Sequence, residues 1–143
     1  MSKLNKMLYA NMLISLNQSK IGGTPNKAKP LLLLCILDCI EDGTMLNNRL
    51  LFNVVSSKYE NYYPSIIGTV ARVVYPFYFL TYDGFYHLQW KDEPIKTKAP
   101  SAKLIRENVE YAYLDNALWD LLQNPIIRRE YRGLIINHYF KES

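Results

Sequence analysis

Residues 75–90 read YPFYFLTYDGFYHLQW, two runs rich in aromatic residues separated by Asp83-Gly84. Asp-Gly tolerates the positive φ values of a two-residue type I′ turn, and aromatic residues favour strands, so the pattern predicts a β-hairpin with its turn at Asp83-Gly84. Side chains alternate between the two faces of a strand. The face expected to join the core carries Phe77, Phe79, Leu88 and Trp90.

The length and composition predict one domain spanning residues 1–143. The chain has 143 residues, of which 49% are hydrophobic, enough for one core and too few for two ordinary domains. It contains no apolar run near the roughly 18 residues that a membrane span requires, and its start lacks the apolar segment of a signal peptide. We therefore expect no membrane partner and a cytoplasmic location.

Hydrophobic periodicity and capping residues predict a mainly helical chain around this hairpin. Residues 30–42, mostly leucine between Pro30 and Gly43, should form a central buried helix. A basic loop is expected at residues 20–29. Further helices are expected at 2–16, from Asn47 or Asn48 to 58, at 65–73, from Ser101 to 107, from Asp115 and from Asn124-Pro125. The predicted fold class is mainly α (α+β), a compact helical domain with one β-hairpin, winged-helix-like.

The sequence offers no constellation for catalysis, metal binding or a cofactor. Cys35 and Cys39 are one helical turn apart in the apolar run and are expected to be buried, and the only histidines, His87 and His138, do not complete a zinc site. Asp83 followed by Gln89-Trp90-Lys91 faintly resembles the metal site of some nucleases. Asp83 is better explained as a turn residue, so we assign no catalytic or metal-binding residue.

The basic residues are concentrated in the first half of the chain. Residues 1–72 hold eight lysines and arginines against four acids, and residues 1–30 hold five lysines and no acid. Such a surface suits an anionic partner, although a solvated basic face is the alternative. The basic loop, the succession of helices, Arg72 and the aromatic hairpin together indicate DNA binding.

Three stretches resemble a known family. They are KAKPLLLL at 27–34, YPFxxLxxDGFYxL at 75–88, and AxLDxxLxxLL at 112–122 leading to LIxxxYF at 134–140. Together they resemble the sulfur-binding domain that lies upstream of the HNH nuclease domain in McrA-type restriction endonucleases. The resemblance implies binding of phosphorothioate-modified double-stranded DNA, in which sulfur replaces one non-bridging phosphate oxygen, in the restriction of modified DNA.

The resemblance also implies the binding residues. Tyr75 and Pro76 match a Tyr-Pro pair of the sulfur pocket, to which Phe77 and Pro30 are candidate additions. Before the central helix the family has His-(Lys or Arg)-Pro, and here Ala28 occupies the His position before Lys29-Pro30. We expect Lys27 and Lys29 to contact flanking phosphates, with Lys27 a substitute for the missing His, and Arg72 to contact a base edge or a phosphate.

The relatives continue into a nuclease, whereas this sequence stops near Phe140. We therefore expect a non-enzymatic reader, with a nuclease domain or subunit as a further partner. The alternative functions are a winged-helix-like protein interaction module, or a reader of other DNA that has lost sulfur recognition, and a diverged nuclease.

Overall fold

The computed structural model describes residues 3–66 and 70–141, with side chains described outside residues 63–66. The helices are α1 (Lys3–Leu13), α2 (Ala28–Glu41), α3 (Phe52–Ile66), α4 (Val74–Phe79), α5 (Ala102–Asn108), α6 (Asn116–Leu122) and α7 (Pro125–Ile135). A 3-10 helix, Leu80–Asp83, continues α4, and a π-helical turn, Ile136–Phe140, continues α7. Two antiparallel pairs, β1 (Lys20–Ile21) with β2 (Thr24–Pro25) and β3 (Tyr86–Trp90) with β4 (Val109–Leu114), complete the fold. The mainly helical α+β class is thus confirmed.

Helix α2 is the centre of the molecule, as its leucine-rich sequence predicts. Eleven of its fourteen residues are buried, and it packs against α3, α4 and α7. It begins at Ala28, two residues earlier than expected, and Pro30 lies in its first turn, where the missing N–H has no helical acceptor. Cys35 and Cys39 are fully buried free thiols, and burial raises the pKa of both.

The predicted hairpin at residues 75–90 is wrong. Residues 74–83 are helical, and Gly84, at φ 96°, ends the 3-10 helix in the left-handed conformation instead of completing a hairpin turn. Within residues 75–90 only Tyr86–Trp90 is a strand, and it pairs with Val109–Leu114, which lies between the helices predicted at 101–107 and from Asp115. Aromatic residues, which favour strands, occur here on a helix, because Phe77 and Tyr78 are buried where α4 packs against α2.

Other boundaries also differ from expectation. The basic loop contains the β1–β2 hairpin, turned by Gly22 and Gly23 at positive φ. Helix α3 starts at Phe52 because Asn48 instead exchanges hydrogen bonds with the backbone of Leu114. The helix expected at 65–73 is not observed at 70–73, and residues 67–69 lie outside the described part of the chain. The caps at Ser101 and Asn124 are confirmed, since both side chains accept backbone N–H bonds.

Tyrosines fasten the elements to one another. The hydroxyl of Tyr86 donates to the carbonyl of Phe77, that of Tyr131 to Lys6, and that of Tyr139 to Leu13. Each ring is buried while its hydroxyl satisfies a backbone carbonyl, so the cost of burying a polar group is offset. Burial also raises the pKa of Tyr131 to about 12.

Candidate nucleic-acid interface

An apolar groove of about 500 Å³ opens between two parts of the fold. One wall comes from the segment that leads from α1 through the β1–β2 hairpin into α2, together with Ala71. The other wall comes from α4 and the 3-10 helix. The lining residues are Asn17, Gln18, Ser19, Ile21, Asn26, Ala28, Lys29, Ala71, Tyr75, Pro76, Phe79 and Tyr82. The volume falls within the range of ordinary ligand sites.

Three aromatic rings form a ladder along the second wall. The rings of Tyr75 and Phe79 are nearly parallel, at 5° with centroids 6.5 Å apart, and those of Phe79 and Tyr82 lie at 24° and 6.0 Å. These residues are four and three apart, so the helical period places them on one face. Tyr75 is 39% and Tyr82 is 60% exposed, which leaves polarisable ring surface open to the groove.

Pro76 lies beside this ladder in the first turn of α4, a position that proline tolerates. Its ring is buried and lines the groove next to Tyr75. The groove therefore has an apolar floor with no N–H of its own at this position.

Asn26 fastens the first wall. Its side-chain oxygen accepts the backbone N–H groups of Ala28, at 3.0 Å, and Ala71, at 3.2 Å, while its Nδ2 donates to the hydroxyl of Ser19. The carbonyl of Ala71 accepts the hydroxyl of Tyr59. One amide thus joins the β1–β2 hairpin, the start of α2 and the segment before α4.

Asp83 pairs with the groove-lining Lys29 from outside the residues that line the groove. Its Oδ2 lies 2.6 Å from the Lys29 ammonium, and its Oδ1 accepts the backbone N–H of Asn17 at 2.8 Å. The Asp83 side chain is 2% exposed and that of Lys29 is 13% exposed. The neighbouring backbone is held by Tyr139, whose hydroxyl accepts the N–H of Leu16 and whose pKa is raised by burial and, to a lesser extent, by the Asp83 charge.

The structure brings four of the residues predicted from sequence together in the groove: Tyr75, Pro76, Ala28 and Lys29. Ala28 is 3% exposed and presents only a methyl group, so the first wall is apolar where the family has His. The Lys29 ammonium is turned toward Asp83.

The other four predicted residues do not line the groove. Phe77 is fully buried, with its ring against Phe52, and Pro30 is buried in α2. The Lys27 ammonium lies 5.8 Å from the centroid of the Phe140 ring, and the exposed Arg72 pairs with Glu60 at 3.3 Å. Lys27 and Arg72 are the sequence neighbours of Ala28 and Ala71, which do line the groove.

Sequence reasoning missed Phe79 and Tyr82 in the ladder, and it missed the amide-bearing wall. The alternating pattern of a strand places Tyr75, Phe79 and Tyr82 on mixed faces, whereas the helical period places them together. Asn26 carried no signal of its own, because its partners Ala28 and Ala71 are set by the tertiary fold.

Residues 3–66 and 70–141 bring together no group of three or more metal-ligating side chains. Asp83, the one acid that resembled part of a nuclease motif, binds Lys29 and Asn17 instead. No helix in the same residues is long and apolar enough to cross a membrane.

No protein-family model and no curated protein matches the chain. Solved structures do match. The sulfur binding domain of ScoMcrA complexed with phosphorothioated DNA has a TM-score of 0.70 at 18% identity, over 92% of this chain and 87% of that one. The sulfur binding domain of SprMcrA, also complexed with phosphorothioated DNA, gives 0.71 at 18%, over 95% and 86%.

These matches define the class of fold as a small, mainly helical α+β domain. More specifically, the chain has the fold of the sulfur binding domains of McrA-type proteins. ScoMcrA itself is a Type IV phosphorothioation-dependent restriction endonuclease, and the chain spans 29% of its solved structure, at a TM-score of 0.70 and 18% identity.

Proposed function

We propose that residues 1–143 form one DNA-recognition domain, which binds phosphorothioate-modified double-stranded DNA in the restriction of such DNA. The observation that carries this proposal is the apolar groove at Tyr75 and Pro76 in a chain with the fold of domains solved on phosphorothioated DNA. The groove would receive the sulfur atom, and the surface around it would follow the DNA backbone.

The chemistry of the groove favours sulfur over oxygen. Sulfur is larger and more polarisable than oxygen and a weaker hydrogen-bond acceptor, so it loses less on leaving water for a wall of aromatic rings and a proline ring. The methyl group of Ala28 opposite these rings offers no hydrogen bond to an oxygen. A contact of this size discriminates by roughly 1 to 3 kcal/mol.

Overall affinity would come from phosphates on either side of the modified one. Lys27 and Arg72 lie one residue from the groove-lining Ala28 and Ala71, and the exposed Lys20 begins the β1–β2 hairpin beside them. These cations would bind flanking phosphates in modified and unmodified DNA alike, so binding should weaken as salt rises. Discrimination and affinity thus reside in different residues.

The proposed role is recognition of modified DNA without cleavage, in the cytoplasm. Cleavage would require a nuclease domain or subunit as a partner, as the match to a complete endonuclease suggests. The groove residues supply no nucleophile beside a base and no metal-binding cluster, and we assign none of them a catalytic role.

The test compares two duplexes that differ only in one Rp phosphorothioate, by fluorescence anisotropy at several salt concentrations. The proposal predicts tighter binding of the modified duplex by wild-type protein and loss of that preference in Pro76→Ser. The matched control is Pro125→Ser, which alters an exposed first-turn proline in α7, outside the residues that line the groove.

Equal affinity of wild-type protein for both duplexes would refute sulfur recognition. Absence of DNA binding at low salt, with capture of a specific protein, would favour the interaction module instead. Cleavage of plasmid in the presence of Mg²⁺ or Mn²⁺ would contradict the non-enzymatic role.

A further inference from the structure

Asp83 and Lys29 form the most shielded ion pair among the described residues, at the wall of the groove. Lys29 is the only charged residue among the described residues that line the groove, and Asp83 lies behind it. We propose that Asp83 sets the specificity of the groove by neutralising Lys29, so that the groove presents the lysine stem and not a free cation. This inference rests on the proposed function, because it concerns how the same groove tells sulfur from oxygen.

A free ammonium in the groove would work against selectivity. It would donate a charge-assisted hydrogen bond to a phosphate oxygen, which is a stronger acceptor than sulfur, and so would stabilise unmodified DNA more than modified DNA. With its head bound to Asp83 at 2.6 Å, Lys29 contributes mainly its four methylene groups to the wall, next to the methyl of Ala28. The ion pair therefore weakens the binding of a phosphate oxygen in the groove.

The carboxylate is fixed independently of Lys29. Its second oxygen accepts the backbone N–H of Asn17 at 2.8 Å, and the residue ends the 3-10 helix just before Gly84, whose φ of 96° turns the chain. A Cβ at Gly84 would also lie 3.1 Å from the Met12 Cε, so the chain at this turn is closely packed. Asp83 thus holds the Lys29 head from a position that binding of DNA at the groove does not need to disturb. It is a positioning residue, since it acts through Lys29.

Lys29 differs in its surroundings from Lys27 and Arg72, two other basic residues near the groove. The Lys27 ammonium lies over the Phe140 ring and has no carboxylate partner among the described side chains, and the Arg72 side chain that pairs with Glu60 is 64% exposed. Exposed pairs are weakened by water and salt, so the pair with Glu60 restrains the Arg72 guanidinium less than the shielded Asp83 restrains the Lys29 ammonium. Among the ion pairs of the described residues, that of Lys29 with Asp83 leaves the least side-chain surface exposed.

The test replaces Asp83 with asparagine. Asp83→Asn keeps the size of the side chain and the oxygen that accepts the Asn17 N–H, but removes the charge that holds Lys29. The freed ammonium should raise affinity for the unmodified duplex roughly five-fold, a gain expected of one ion pair near the surface. It should also steepen the plot of log K against log salt by about 0.9, the effect of one additional phosphate contact. The ratio of affinities for modified and unmodified duplex should fall accordingly.

The double variant Lys29→Met with Asp83→Asn is the control that separates charge from structure. It keeps an apolar stem of similar length and removes both charges. Its affinity ratio and salt dependence should return close to those of wild type, which a double-mutant cycle quantifies. Circular dichroism and thermal unfolding of each variant show whether the fold is kept.

Two results would overturn the proposal: an Asp83→Asn protein with the wild-type ratio and salt dependence, or a double variant whose ratio falls as low as that of Asp83→Asn. If Asp83→Asn does not fold, the double variant alone decides, because a lost preference there contradicts neutralisation as the role of the pair. Failure of the proposed function would look different, since wild-type protein itself would then bind both duplexes equally. In that case the salt dependence on unmodified DNA still reports whether Asp83 withholds Lys29.

Discussion

Removing the ring of Tyr75 should reduce discrimination between modified and unmodified DNA while leaving the fold intact. The ring is 39% exposed and contacts the ladder through one nearly parallel stack on Phe79, so Tyr75→Ala should cost about 1 kcal/mol of folding stability. A contact between sulfur and an aromatic ring contributes about 0.3 to 1.5 kcal/mol. The affinity ratio should therefore fall roughly two- to twelve-fold.

The assay is fluorescence anisotropy with paired duplexes at fixed salt, and Tyr75→Phe is the matched control. The phenylalanine variant keeps the ring and loses only the hydroxyl, so its ratio should stay near that of wild type. The reasoning is refuted if Tyr75→Ala weakens both duplexes equally, since the ring would then serve general affinity. It is equally refuted if Tyr75→Phe loses as much discrimination as Tyr75→Ala.

Three further outcomes follow from the same geometry. Lys27→Ala should weaken binding of both duplexes alike and reduce the salt slope by about 0.9, measured over a salt series. Asn26→Ala should lower the free energy of unfolding by roughly 2 kcal/mol, since two backbone N–H groups lose their acceptor. Asn26→Asp keeps an acceptor oxygen and should retain most of the wild-type free energy of unfolding, and urea denaturation measures both variants. Tyr9 and Tyr131 have a pKa of about 12 in the folded chain, mainly because of burial, against 10.0 when unperturbed. These tyrosines ionise at a lower pH in the unfolded chain than in the folded chain, so the free energy of unfolding should fall between pH 10 and 12. Urea denaturation measures that fall, and tyrosinate absorbance reports the ionisation.

Local signals in the sequence predict several elements correctly. The oxygens of Ser101 and Asn124 accept N–H groups at the starts of α5 and α7, as their positions before apolar periods suggest. The buried helix α2 follows from a run that is apolar on nearly every side, bounded by Pro30 and Gly43. These features depend on residues within a few positions of each other, so the sequence contains all the information that they need.

The course of residues 75–90 could not be predicted in the same way. Aromatic residues favour strands only because they pack well on a half-buried surface. Here a helix is packed in that way, since α4 contacts α2 and the Phe77 ring contacts Phe52 of α3 and Tyr86 of β3. The partner of β3 is β4, whose paired residues lie 19 to 28 positions further along the chain (Trp90 with Val109, Tyr86 with Leu114), and no turn residue in the sequence predicts that pairing. Asp83-Gly84 does change the direction of the chain, but it ends the 3-10 helix, with Gly84 in the left-handed conformation, and does not turn a hairpin.

The candidate site was predictable only in part, for a related reason. Tyr75 and Pro76 were found through their resemblance to a family motif, and Ala28 and Lys29 through the loop before α2. Whether the Lys29 ammonium is free depends on Asp83, 54 residues later, which no local pattern connects to it. The charge state presented by the groove is thus a property of the tertiary structure and not of the basic loop alone.

The most direct test of the central claim is a crystal structure of the protein with an Rp phosphorothioate duplex, with the sulfur located by its anomalous scattering. The account predicts the DNA sulfur in van der Waals contact with the rings of Tyr75 and Pro76, while Lys29 remains bound to Asp83. A sulfur bound elsewhere on the protein, or facing solvent with the groove empty, would contradict it.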